Sequence, residues 1–441
     1  MKLSEKIGRL YFNREDLSEI EMARSRNLSI YEGCTARSIL TLTSGSFLVG
    51  FAGYLGASDE IAGIVSAIPV FAGIITVFSP LMFERMANRK FITVLFCLLG
   101  RLMLGTMIVI PFIDIPNSHQ IALLIGMFLT ANLFLAAMMP SAATWLLKIT
   151  PESIRGVYYG RREAIVLGAV TIVTLVMGQV LDKFDRAGYQ LRGFIILYIF
   201  VIIITLVNFI IFSGMKEPPN EILKTDISVI NIFRIPLKNK KYMTISILMA
   251  VWNFGYQLAF PFTSVYMVST LKLGYGLITV MAVLASLTSV VSVYFWGRLA
   301  DRKSWLYLMN LMILIQITSF LIWFFINKST AAILLPMAHI LGGAAIGGIN
   351  ISLNNLQYTF SPPDNKTVFL GFSSAVNGVI GFTGTLAGSY FLTLSEKLEF
   401  KVWNLSVGSM QMIFLIAGIT LFSGVMFVHN IMKSETFKVT L

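Results

Sequence analysis

About twelve apolar stretches, each long enough to cross a bilayer, govern what this 441-residue chain can become. A lipid core offers no water to backbone amides. Only helices, which satisfy N–H and C=O internally, or closed barrels can cross it. The stretches fall at about residues 38–58, 61–83, 91–113, 121–147, 164–182, 191–214, 242–268, 273–297, 304–327, 330–357, 368–393 and 404–432. Each exceeds a barrel strand in length and lacks strict polar–apolar alternation, which selects helices. Hydrophobic residues make up 56% of the chain and charged residues 13%, far from the averages of water-soluble domains. The expectation is an all-α membrane protein with no separate soluble domain.

The charge pattern sets the topology. The net charge of +12 could point to nucleic acid or anionic partners. However, most Lys and Arg fall in alternate loops, as expected when both termini lie in the cytoplasm and basic loops stay inside. Nucleic acid is therefore not expected as a partner. The first stretch follows a long polar segment containing Lys2, Glu5, Lys6, Arg9, Arg14, Glu15 and Asp16, which is unlike a cleavable leader. Cys34 and Cys97 suit neither a disulfide framework nor a metal site, so no metal or cofactor is expected.

The chain repeats itself. Gly297-Arg298-Leu299-Ala300-Asp301-Arg302-Lys303 follows the eighth stretch. A looser copy, from Pro80 through Glu84-Arg85 to Arg89-Lys90, follows the second. After the fourth and tenth stretches come Pro151-Glu152 leading to Tyr158-Tyr159-Gly160, and Pro363-Asp364 leading to Phe369-Leu370-Gly371, at nearly the same offset. Two echoes at one period imply two six-helix halves related by an axis along the membrane normal. The expected layout is a cytoplasmic segment 1–37, a first half 38–214, a linker 215–241 containing Pro218-Pro219, a second half 242–432 and a tail 433–441.

These motifs resemble the major facilitator superfamily, whose signature between spans two and three reads roughly Gly-x-Leu-Ala-Asp-Arg-x-Gly-Arg-Lys. Gly297, Leu299, Ala300, Asp301 and Arg302 match it, and Lys303-Ser304-Trp305 departs. In the first copy Pro80 replaces the first Gly, Glu84 the Asp and Ala87 the second Gly. The resemblance implies the major facilitator fold, twelve helices in two pseudo-symmetric halves. Glu84, Arg85, Arg89, Asp301 and Arg302 then form a conformational latch: the acid meets a helix dipole and the arginine meets carboxylates or carbonyls. The alternative is that they only set topology.

The resemblance also implies that spans one, four, seven and ten line the pathway. Polar residues there are costly in lipid without partners. In the seventh, Trp252 and Tyr256 share one face and Asn253 and Gln257 another. Such a surface suits stacking and hydrogen bonding to a solute, with helix packing as the alternative. In the tenth, Asn350, Asn354 and Gln357 form a stripe, and Gly342, Gly343, Gly347 and Gly348 are read as packing residues. The fourth contributes Asn132. The first offers hydroxyls only, among them Ser38, Thr41, Thr43, Ser44 and Ser46. His339 is read as structural. Arg101, a charge inside the third span, is expected either to bind an anionic group or to pair with an acid not identified from sequence.

No Asp or Glu falls within the predicted extent of spans one, four, seven or ten. This argues against a protonatable carboxylate in the pathway and gives a slight preference for a neutral polar solute such as a sugar. The leading expectation is a monomeric, non-enzymatic carrier in the cytoplasmic membrane. It would move a small organic solute by rocker-switch alternating access, with proton or sodium coupling left open. An exporter of hydrophobic compounds is the runner-up, disfavoured by the missing Gly-Pro signature in the fifth span. A non-transporting receptor or assembly factor on the same fold would carry large added domains. No hydrolase, zinc-protease or phosphate-loop motif is present. Arg161-Arg162 reads as an interfacial anchor.

Overall fold

The computed structural model describes residues 11–12, 16–83, 86–219, 229–362, 366–395, 399–402 and 405–433. Among these, eleven helices are long and apolar enough to cross a membrane. The first apolar run is covered by two further helices, Glu19–Leu42 and Gly45–Tyr54, the former carrying Arg24, Arg26, Glu32 and Arg37.

The helices run in order: α1 Glu19–Leu42, α2 Gly45–Tyr54, α3 Asp59–Ala72, α4 Lys90–Thr106, α5 Asn117–Lys148, α6 Arg155–Arg186 and α7 Gln190–Gly214. After the linker come α8 Val229–Lys238, α9 Lys240–Val265, α10 Tyr275–Arg302, α11 Trp305–Phe325, α12 Ala331–Phe360, α13 Lys366–Ser395 and α14 Ser409–Lys433. A short antiparallel hairpin, β1 Glu399–Val402 and β2 Leu405–Gly408, lies between the last two. The molecule is therefore an all-α membrane protein of about twelve spanning helices, as the apolar runs imply.

The first helix begins far earlier than the first apolar run. Ser18 caps α1: its hydroxyl accepts from the Glu21 N–H at 3.4 Å while the Glu21 carboxylate accepts from the Ser18 N–H at 2.9 Å. This reciprocal box satisfies two of the donors every helix start leaves open. The helix breaks at Thr43-Ser44, where Ser44 is extended and Gly45 takes φ 54°, a left-handed value that glycine tolerates. It resumes as α2. Of the segment expected to be a cytoplasmic extension up to residue 37, residues 19–37 are thus helical and part of α1.

Two compact units result. One comprises Met1–Ala57 with Ala72–Ser228, the other Ser58–Phe71 with Val229–Leu441. In the first, Phe51 of α2 sits against Phe194 and Tyr198 of α7 at 5.4 and 4.9 Å between ring centres. A side chain at Gly100 of α4 would meet the Ala131 carbonyl of α5 at 2.9 Å, so small residues set that approach.

In the second unit, α12 crosses α10 through Gly343 and Gly347. A Cβ there would come within 2.2 Å of the Ala285 carbonyl and 2.8 Å of that of Ser289. The α13 glycines Gly384 and Gly388 approach the α9 carbonyls of Phe254 and Leu258 in the same way, both at 2.4 Å. The segment Ser58–Phe71 belongs here too. Phe71 lies 4.8 Å from Phe382, and the Ser269 hydroxyl donates to Asp59 at 3.1 Å. Large apolar side chains such as Val290, Val291 and Phe295 remain exposed along α10, as a lipid-facing helix requires.

Candidate functional site

The first unit contains a buried ion cluster that the apolar runs concealed. Arg101, 3% exposed, extends from α4 to the Glu32 carboxylate of α1 at 3.1 Å. Arg162 of α6 reaches the other oxygen of that carboxylate at 3.7 Å and donates to the Ser29 carbonyl at 3.3 Å. Asn208 of α7 completes the cluster. Its carbonyl oxygen accepts from Arg101, and its amide donates to the Glu32 carbonyl at 3.2 Å and to the Thr35 hydroxyl at 2.7 Å. One carboxylate thus faces two guanidiniums, tying four helices together. Gly33 allows this closeness, because a Cβ there would strike Arg162 at 2.8 Å.

This arrangement supplies the acid that one expectation left unidentified and revises two others. Arg101 has its acid, Glu32, which lies in the polar segment ahead of the first apolar run. Arg162 is an inward ion-pair partner rather than an interfacial anchor, since a desolvated guanidinium is stable only where a carboxylate compensates it. The first span also carries a carboxylate, because α1 extends back through residue 32. Arg101 lies about three turns into α4, so the cluster sits well within the depth of the helix bundle.

A second charged clasp closes the end of α4. The Glu217 carboxylate, just past α7, accepts from the backbone N–H groups of Arg89 and Lys90 at 3.0 and 2.8 Å. It thereby caps a helix start whose dipole favours a negative charge. Burial raises the Glu217 pKa above the ordinary carboxylate value, against the lowering effect of these two backbone bonds. Of the looser motif copy, Arg89 is buried in this clasp. Glu84 and Arg85 lie outside the described residues. In the other copy, Asp301 and Arg302 end α10 exposed, with no hydrogen bond or ion pair among the described residues.

The face of α1 opposite the cluster is also polar. Ser25, Ser29 and Gly33 are buried on the side that meets α6 and α7, whereas Asn27, Tyr31 and Arg37 are exposed within an arc of about 120°. Ser25 accepts from the Lys216 N–H at the end of α7 at 3.0 Å, which marks one end of the span. Arg37 lies about three turns, on the order of 18 Å, beyond it. In a hydrocarbon layer of about 30 Å that is near the middle. Arg37 has no ion-pair or hydrogen-bond partner for its side chain among the described residues. Nothing in the apolar runs pointed to it.

In the second unit, Trp252 stacks on Tyr256 at 5.1 Å and Tyr256 on Phe260 at 4.6 Å, forming a ladder along α9. Phe320 of α11 lies 6.2 Å from Tyr256, so these rings already have protein partners. Asn253 donates to the Met249 carbonyl at 3.0 Å. The Gln357 amide of α12 reaches the Met249 sulfur at 3.3 Å, so the two amide stripes meet at this methionine. Gln257 is buried toward α13 beside Gly381.

Asn350 and Asn354 are exposed on α12. Asn132, in the first unit, is buried and donates to the Phe128 carbonyl of its own helix at 2.8 Å. His339 bonds the Leu335 carbonyl through Nδ1 at 2.9 Å and lies 5.4 Å from the Trp323 ring. Among the described residues no group of His, Cys, Asp and Glu could hold a metal ion.

Two bundles of apolar helices, the first held by buried charge clusters, define a polytopic membrane carrier. A family model of the Major Facilitator Superfamily matches residues 34–385, and the chain belongs to that superfamily. Among solved structures, a point mutant of the nucleoside transporter NupG is similar at 13% identity. The match covers 93% of this chain and all of that one, with a TM-score of 0.69. A POT family transporter in complex with a thioalcohol-conjugated peptide follows at 12% identity, 95% and 96% coverage and a TM-score of 0.65. A bacterial homolog of the human lysosomal transporter Spinster shows 14% identity, 93% and 94% coverage and a TM-score of 0.57. At these identities the likeness is one of fold. No curated protein matches the chain.

Proposed function

We propose that the protein carries a small polar organic solute bearing an anionic group, by alternating access, and that Arg37 receives that group. The observation behind this reading is the exposed Arg37 guanidinium on the polar face of α1, which has no side-chain partner among the described residues. Insertion scales put the cost of Arg at a helix centre at about 2.5–3.5 kcal/mol, so such residues face water or a counter-charge. Asn27 and Tyr31 extend the same face with hydrogen-bonding groups. The solved relatives named for nucleosides and peptides also handle polar organic solutes, which favours this class over lipophilic compounds. The slight preference for a neutral sugar rested on pathway spans without carboxylates, and Glu32 in α1 weakens that premise.

Within the second unit, we assign Asn253, Gln257, Asn350 and Asn354 to hydrogen bonding with a polar solute. Trp252 and Tyr256 hold α9 in shape beside them, and Asn132 supports α5.

The test is ligand-induced thermal stabilisation of purified protein with matched pairs: glucose against glucose 6-phosphate and gluconate, and uridine against uridine monophosphate. A ligand at a hundredfold excess over its dissociation constant stabilises by about 2.7 kcal/mol. The charged member of a pair should raise the unfolding temperature in wild type and lose that effect in Arg37→Gln. A neutral member acting equally in both proteins would overturn the anionic assignment. A response to lipophilic cations alone would favour the exporter.

A further inference from the structure

We infer that α8, the short helix of the inter-half linker, is a membrane-surface element that binds anionic phospholipid headgroups. This is independent of the solute carried. The helix Val229–Lys238 presents two apolar sides. Ile232 and Pro236 are buried, with Ile232 3.8 Å from where a Cβ of Gly371 in α13 would stand. Ile230, Phe233 and Leu237 are 72%, 38% and 57% exposed and follow one another at the i, i+3, i+7 spacing of a single helix stripe. An exposed apolar stripe of this kind requires an apolar medium.

The position of α8 supplies that medium. It ends at Lys238 and α9, a spanning helix, begins at Lys240, with Asn239 between them accepting from the Tyr242 N–H at 3.1 Å. A helix joined to a span by one residue starts within reach of the bilayer surface. Its contact with α13 near Phe372, whose ring is 6.1 Å from that of Phe233, fixes it at the same level.

Charge selects the lipid. Arg234, Lys238, Lys240 and Lys241 are exposed and have no ion pair among the described residues, and no acid occurs between Val229 and Lys241. Cations beside an apolar stripe on a helix are the pattern of interfacial helices drawn to anionic headgroups. The apolar stripe enters the acyl boundary, and the four cations take the phosphates of anionic phospholipids around it.

Leu237→Trp places a reporter on the exposed stripe, read as emission in excess of wild type. The protein is reconstituted in nanodiscs of four parts phosphatidylcholine to one part phosphatidylglycerol, with bromine on the acyl chains of one lipid or the other. Blue-shifted emission is expected, quenched several-fold more per brominated phosphatidylglycerol than per brominated phosphatidylcholine. That preference should vanish in Arg234→Gln/Lys238→Gln/Lys240→Gln/Lys241→Gln and weaken in high salt. A reporter emitting as in water and unquenched by either lipid would overturn the inference. Equal quenching by both lipids, unchanged by removing the charges, would overturn the anionic selectivity. Thermal unfolding of the fourfold variant separates lost folding from lost lipid contact.

Discussion

A single carboxylate organises the first unit. Glu32 is the only acid contacting Arg101 and Arg162 from another helix among the described residues. Removing one partner of a buried pair is costly because it strands the other charge, typically by about 3–5 kcal/mol. Glu32→Gln keeps the shape but leaves two guanidiniums facing each other, so a loss of about 3 kcal/mol is expected, read as a lower unfolding temperature. Arg101→Leu should cost less in combination with Glu32→Gln than the two separate losses added together, because the two residues share one interaction. The cluster was only half legible in the sequence. Arg101 stood out because it interrupts an apolar run, whereas Glu32 lies among other charges that a hydropathy pattern assigns to water. The glycines were more readable. Gly343→Ala would drive a methyl group into the Ala285 carbonyl, and such overpacking commonly costs about 1–3 kcal/mol.

At the scale of elements, the spanning helices and their order follow from the apolar runs, since lipid leaves the backbone no alternative. The start of α1 was also legible, in Ser18-x-x-Glu21, but only to a reading that gives capping chemistry equal weight with hydropathy. The break at Thr43-Ser44 was not, because neither residue forbids a helix. The α1 start gives a pH prediction. Glu21 is held at about 2, against an ordinary 4.5, first by the hydrogen bond from Lys216 at the end of α7 and then by the Ser18 backbone. A depressed folded value means the stabilisation is present above the unfolded pKa and is lost as pH falls toward the folded one. Between about pH 5 and 3 the unfolding temperature should therefore drop more steeply in wild type than in Glu21→Gln. Glu217 acts with the opposite sign. Burial raises its pKa, so its contribution declines as pH climbs through its raised value, and Glu217→Gln removes that decline while retaining an acceptor for α4.

At the scale of the whole molecule, the duplication was legible because the same charged motif recurs where a membrane protein tolerates charge least. The motif does not show that its two copies stand in different surroundings. In the first, Arg89 is buried in the clasp made by Glu217. The second, Asp301 and Arg302, better preserved in sequence, is exposed and unengaged among the described residues. A residue pair that stabilises nothing in one state yet acts as a latch must find its partners in another state, and its value then lies in the equilibrium between states. The two copies should respond differently to substitution. Arg89→Ala should lower the unfolding temperature. Asp301→Asn and Arg302→Ala should leave it within the small range of surface substitutions, about 0.5 kcal/mol, while reducing solute exchange in proteoliposomes. Exchange unaffected by both second-copy variants would leave Asp301 and Arg302 as charges that only set topology. A large loss of stability from either would mean that the exposed arrangement is not the dominant one in solution.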